Sequence, residues 1–247
     1  MDTNAILSAA EQALARGDVA AGEREITAAW PDIAKAPAEA RHILGAIRGA
    51  QSRFAEAEQL MRSAIADEPD SLRHRIALGH IYQAGGAPGP AADSYAEALR
   101  IDANWPGLKL THAVALYQAG RHAEAESAAR QATQNEPSCE AWDTLSCALR
   151  AQGKHAEALK AAEEALALRP EHMGAAHSLA AAQLGLGRAQ DALLGVDALI
   201  GRGGAGAQVL LTRAAALEKL GRKKDAEAAY AEAAQRWPND PRVKARH

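Results

Sequence analysis

A repeat of about 34 residues constrains this chain more than any other feature. Ala57, Ala91, Ala125, Ala158, Ala192 and Ala226 follow one another at spacings of 34, 34, 33, 34 and 34 residues. Seven positions further on, Ala64, Ala98, Ala132, Ala165, Leu199 and Ala233 form a second series. Gly17, Gly86, Gly120, Gly153, Gly187 and Gly221 hold a third register, with Ser52 in the second copy, and Pro69, Pro137, Pro170 and Pro238 close four copies. A unit this short cannot bury a core alone, so successive copies must stack on one another.

The copy from Cys139 to Pro170 shows what each unit is. Trp142, Leu145 and Leu149 recur at the spacing of one helix face, Ala158, Ala162 and Ala165 do the same for a second helix, and Gln152-Gly153-Lys154 makes the turn between them. Each unit is therefore a helical hairpin. The chain is 48% hydrophobic with only 4% aromatics, so alanine supplies much of the apolar surface and packing depends on close helix approach.

A helical hairpin of this period resembles the tetratricopeptide repeat family over nearly the whole chain, and the third copy follows its pattern with Leu78-Gly79, Tyr82, Gly86, Ala91, Tyr95, Ala98 and Leu99. The resemblance implies an all-α fold, a right-handed α-solenoid of antiparallel helix pairs. Seven repeats are expected at 3–37, 38–71, 72–105, 106–138, 139–172, 173–206 and 207–240 of one array spanning 3–247, with a stub of a further helix at 241–247.

Several copies depart from the pattern. The first has Gly22 where later copies have alanine, as terminal repeats often do. The Ala87-Pro88-Gly89-Pro90 turn is rigid, and Pro90 is tolerable in a first helical turn because no donor is lost there. His112 stands where the family usually has leucine and reads as a hydrogen-bonded or partly exposed core histidine. Gly201, Gly203 and Gly206 form a G-x-G-x-x-G string, but a dinucleotide site needs a preceding strand, so a flexible joint between repeats is expected.

Composition and motif searches narrow the function. A net charge of −3 without a clustered basic face gives no expectation of nucleic-acid binding. Cys139 and Cys147 lie about 12 Å apart along one helix, too far for a disulfide. No signal peptide or membrane span is apparent, so a cytoplasmic protein is expected. Neither catalytic motifs nor metal-ligand spacing occur: His172 and His177 are five apart, and His122 and His155 read as turn-packing residues. No enzyme activity, cofactor or metal is expected.

In the family the first helices line a concave groove that commonly takes peptides or partner helices. Carried over by register, the resemblance places Arg73 and His80 there from repeat three, Thr111 and Tyr117 from repeat four, and Asp143, Thr144, Cys147 and Arg150 from repeat five. His177 and Ser178 follow from repeat six and Thr212 from repeat seven. Thr111, Thr144, Ser178 and Thr212 form a row of hydroxyls, which either bond the backbone of an extended chain or simply permit close helix packing. The lysine- and asparagine-rich clamp of the chaperone-tail type is not matched, since His42, Ala46 and Ala77 stand at its positions. The expected function is a non-enzymatic scaffold binding a protein or peptide partner. The alternative is the amino-terminal substrate-recruiting region of a larger enzyme, such as a sulfotransferase, glycosyltransferase or oxygenase. Self-association through the repeat ends is a third reading.

Overall fold

The computed structural model describes residues 2–245 and, among them, contains fifteen α-helices, one 3-10 turn and no strand. The helices are α1 (Thr3–Ala15), α2 (Val19–Ala29), α3 (Ala38–Ala50), α4 (Phe54–Asp67), α5 (Leu72–Ala84), α6 (Pro88–Ile101), α7 (Leu108–Gln118) and α8 (His122–Asn135). They continue as α9 (Cys139–Ala151), α10 (His155–Leu168), α11 (Met173–Gly185), α12 (Ala189–Gly201), α13 (Ala207–Lys219), α14 (Lys223–Arg236) and the short α15 (Pro241–Lys244). The fold class is an all-α solenoid of antiparallel helix pairs. The end of the expected stub, residues 246–247, lies outside the described residues.

Two compact bodies divide the chain, residues 1–120 and 121–247. The first holds the hairpins α1/α2, α3/α4 and α5/α6 and the helix α7; the second holds α8, the hairpins α9/α10, α11/α12 and α13/α14, and α15.

The glycine register sets the turns. Gly17, Gly86, Gly120, Gly153, Gly187 and Gly221 all adopt positive φ, between 74° and 80°. In repeat five the Gly153 N–H donates to the Arg150 carbonyl and the Lys154 N–H to the Leu149 carbonyl, the paired bonds of a Schellman ending. Ser52 takes the same conformation with φ 60°, a backbone region that a side chain with Cβ enters at a cost of about 1 kcal/mol.

The alanine series is the core. Ala57, Ala64, Ala91, Ala98, Ala158, Ala165 and Ala192 are completely buried. One position of each first helix must also be small, because it meets the second helix of its own hairpin. A Cβ on Gly79 would lie 2.3 Å from the Tyr95 ring, and Ser146 instead turns its hydroxyl onto the Ala158 carbonyl at 2.8 Å. Gly22 in the atypical first repeat has a similar cause: a Cβ there would sit 3.1 Å from Ile47 and 3.2 Å from the Ala10 carbonyl. The glycine string runs from Gly201 at the end of α12 through the loop to Gly206, the N-cap of α13, with Gly203 at φ 86°. At the far end, Val243 of α15 packs with Ala207, Leu210 and Ala233.

Repeat two is built differently. Arg41 and Arg48 stand in the register of Trp142 and Leu149 and are nearly buried. Arg41 donates to the Ser63 carbonyl at 3.1 Å and pairs with Asp67, while Arg48 pairs with Glu23 at 2.6 Å and bonds Gln51 at 2.9 Å. A polar lattice there replaces the apolar wedge of repeat five.

Candidate functional site

The polar residues of the second body collect on its first helices. α11 packs against both α9 and α13, so residues one repeat apart face each other across two seams. Ser138 caps α9 by accepting from the Ala141 N–H at 3.2 Å, and His172 caps α11 through Nδ1 by accepting from the Ala175 N–H at 3.0 Å.

Across the α9–α11 seam, the Ser178 hydroxyl donates to Asp143 Oδ1 at 2.6 Å. Cys147 Sγ lies 3.5 Å from the same hydroxyl oxygen. Because the serine hydrogen is already committed, the thiol is the donor in that contact. Burial pushes the Asp143 carboxyl above its ordinary range, opposed by the Ser178 bond and by the charges of His172 and Arg150. Burial also pushes the Cys147 thiol up, reinforced by the Asp143 charge, so it is a protonated packing group and not a nucleophile at neutral pH.

Across the α11–α13 seam, His177 Nε2 is 2.9 Å from Thr212 Oγ1. Thr212 donates its own hydrogen to the Gln208 carbonyl at 2.9 Å, which makes the imidazole Nε2 the donor. Burial first, and then the Arg150 charge, lower the His177 pKa to about 4. His177 is therefore neutral at pH 7.

The hydroxyl row now has defined hydrogens. Thr111 donates to the Gly107 carbonyl at 3.1 Å, Thr144 to the Glu140 carbonyl at 2.7 Å and Thr212 to that of Gln208. With Ser178 on Asp143, all four hydrogens stay inside the protein, and only oxygen lone pairs remain to meet an incoming N–H.

Arg150 stands apart. It is half-buried at the end of α9 beside Cys147, its Nε is buried without a hydrogen-bond partner, and it makes no ion pair among the described residues. Most other arginines of the protein are tied to carboxylates, including Arg130 to Glu126 and Glu157, Arg169 to Glu140 and Arg213 to Asp197.

The first body carries the other expected positions. Arg73 is exposed and bridges Glu11 of α1 and Glu39 of α3. His80 is exposed, with its ring edge-on to Tyr95 at 5.6 Å. Thr111, Tyr117 and His112 are half-buried. His155 is a turn-packing residue as its register implied: its ring fills the space beside Gly185, where a Cβ would approach Nδ1 to 2.3 Å. Sequence reasoning gave no role to His74, Glu68, Arg41 or Arg48. Only His74 carries a signal in the sequence, a polar side chain at a position that repeats two and four to seven fill with apolar ones. Among the described residues, no group of His, Cys, Asp and Glu has the arrangement of a metal site, and no helix is long and apolar enough to cross a membrane.

Residues 44–107 and 139–172 match family models described as tetratricopeptide repeat. This is a tetratricopeptide repeat protein. Its TPR fold is similar to the crystal structure of a tetratricopeptide repeat protein from Parabacteroides merdae, with a TM-score of 0.76 and 16% identity over 98% of this chain and 95% of that one. YrrB, described as a TPR protein with an unusual peptide-binding site, gives 0.63 and 18% over 70% and 89% of the two chains. Pseudomonas aeruginosa pilF gives 0.62 and 21% over 84% and 95%. No curated protein is matched by the sequence. TPR repeats with such neighbours support a protein-interaction scaffold in general terms.

Proposed function

We propose that this TPR protein is a non-enzymatic scaffold that takes an extended peptide or protein segment on the α9–α11–α13 face, with Arg150 meeting an acidic group of the partner. The carrying observation is Arg150 itself, a partly buried guanidinium without an ion pair in a protein that pairs most of its arginines. Burying a guanidinium without a direct ion pair is costly, and a partner carboxylate recovers that cost through a charge-assisted bond. The threonine oxygens of Thr144 and Thr212 are left as acceptors for backbone N–H groups, the complement an extended chain offers. Asp143, Cys147, His177 and Ser178 hold the floor of the site. Arg73, His80, Thr111 and Tyr117 are the contacts proposed for the first body. The peptide-binding site named for YrrB is consistent with this use of the fold.

Affinity capture from a source-cell extract, comparing wild type with Arg150→Glu, tests the reading once both proteins are shown equally helical by circular dichroism. The expected result is a partner retained by wild type and lost by the variant. The same proteins on both, or none on either, would remove the α9–α13 face from consideration.

A further inference from the structure

The first body buries a polar constellation of its own. His74 of α5 is 0% exposed and His42 of α3 is 6% exposed. Their rings lie 4.9 Å apart with Nδ1 facing Nδ1 at 2.9 Å, and His74 Nε2 is 3.1 Å from a Glu68 carboxylate oxygen. Packing does not require this. In the register of His74 repeats two and four to seven have Ala40, Leu108, Ala141, Ala175 and Val209, and in that of His42 repeats three, four and seven have Ile76, Leu110 and Leu211 while five and six have Asp143 and His177. At the seam between α3 and α5, an imidazole in an otherwise apolar register meets a second imidazole.

The geometry fixes the hydrogens. A carboxylate only accepts, so His74 Nε2 carries a proton toward Glu68. In the neutral pair His74 Nδ1 is then the acceptor and His42 Nδ1–H the donor. One further proton is compatible with the same contact. It either sits on His42 Nε2, or the bridging proton shifts to His74, whose charge then faces Glu68 while His42 keeps Nε2–H. A second further proton is not compatible, because both Nδ1 atoms become donors 2.9 Å apart and both rings are cationic.

We infer that His42 and His74 form a one-proton joint between α3 and α5, whose Nδ1···Nδ1 hydrogen bond holds with zero or one added proton and breaks with two, releasing the seam in acid. The surrounding charges favour this behaviour. Glu68, between α4 and α5, accepts from His74 and balances the first proton. Arg73 of α5 repels charge on His42 and is itself held by Glu11 of α1 and Glu39 of α3. Other carboxylates of the first body are held by arginines: Asp67 of α4 by Arg41, Glu23 of α2 by Arg48, and Glu97 of α6 by Arg75 and Arg100. Burial first, then Arg73 and His74, push the His42 pKa down to about 3, the direction expected of a pair that resists its second proton. Because Arg73 adjoins His74 in the chain, release of the seam also disturbs the Glu11–Arg73–Glu39 bridge.

Two measurements on the full chain test the joint. Imidazole nitrogen NMR at pH 7 is expected to show His42 with its proton on Nδ1 and His74 with its proton on Nε2. Amide hydrogen exchange in α3 and α5, taken relative to the intrinsic amide exchange rate at each pH, is expected to accelerate about tenfold per pH unit in the acid range where the second proton binds, since opening takes up one proton. His74→Leu, which restores the apolar residue other repeats carry, removes that acceleration, and His42→Phe does so independently should the first variant fold poorly. Two histidines that titrate separately near the ordinary value of about 6.5, or an unchanged acid acceleration in both variants, overturn the inference.

Discussion

Ser178 donates to Asp143 over 2.6 Å, joining helices that begin 34 residues apart. Each group satisfies the other inside a seam where water is scarce, and the pair decides how α9 and α11 sit against each other. Ser178→Ala leaves the carboxylate without its donor and is expected to cost roughly 1–3 kcal/mol in urea unfolding. Asp143→Asn keeps an acceptor for the same hydroxyl and is expected to cost less. The reverse order in the two midpoints would show that the hydroxyl is not Asp143's principal support.

Close helix approach makes the alanine series intolerant of size. Ala158 and Ala192 are fully buried, so replacing either with leucine is expected to destabilise by about 1–3 kcal/mol through overpacking. Thermal unfolding reads this directly, and an unchanged midpoint for Ala158→Leu would contradict its place in the core.

Ser52 is the one turn position of its register where a side chain occupies a conformation that glycine takes elsewhere. Ser52→Gly relieves the steric penalty and is expected to stabilise by up to about 1 kcal/mol, less whatever the freer unfolded chain gains. Chemical denaturation of the two proteins measures the difference.

Stability falls with acid in a defined window. His177 has its pKa lowered to about 4 and His42 to about 3 from the model-compound value of 6.5, so the unfolded chain binds more protons than the folded one between those limits. The stabilisation from keeping these rings neutral is complete above pH 6.5 and is lost as pH falls toward 4, by at most about 1.4 kcal/mol per pH unit for each group. His177→Gln is expected to flatten part of that slope in unfolding experiments between pH 7 and 4.5. An unchanged slope would mean that His177 titrates normally.

The period made the hairpins, the turns and the alanine core readable, because each rests on a local rule repeated many times. Ser52 already stood out in the glycine register before its positive φ was seen. The row of Thr111, Thr144, Ser178 and Thr212 was readable as a row, yet the destination of each hydrogen was not. Thr144 and Thr212 turn back to their own helices, whereas Ser178 finds Asp143 only because two repeats are stacked. His42 and His74 were hidden for a related reason: they are 32 residues apart, at different positions of their repeats, so a 34-residue register never aligns them. The lack of an ion pair at Arg150 depends on where every neighbouring carboxylate goes, and no spacing rule records that.

The most direct test of the peptide-binding proposal is selection of extended peptides from a random library by the wild-type protein and by Arg150→Glu, with binding of the selected sequences then titrated against both. Wild type is expected to enrich peptides carrying Asp or Glu at one fixed position, and the charge-reversed protein to lose them by tenfold or more in affinity while favouring Lys or Arg there. Selection of the same sequences by both proteins, or enrichment without any acidic position, would contradict the assignment of Arg150 as the anchor.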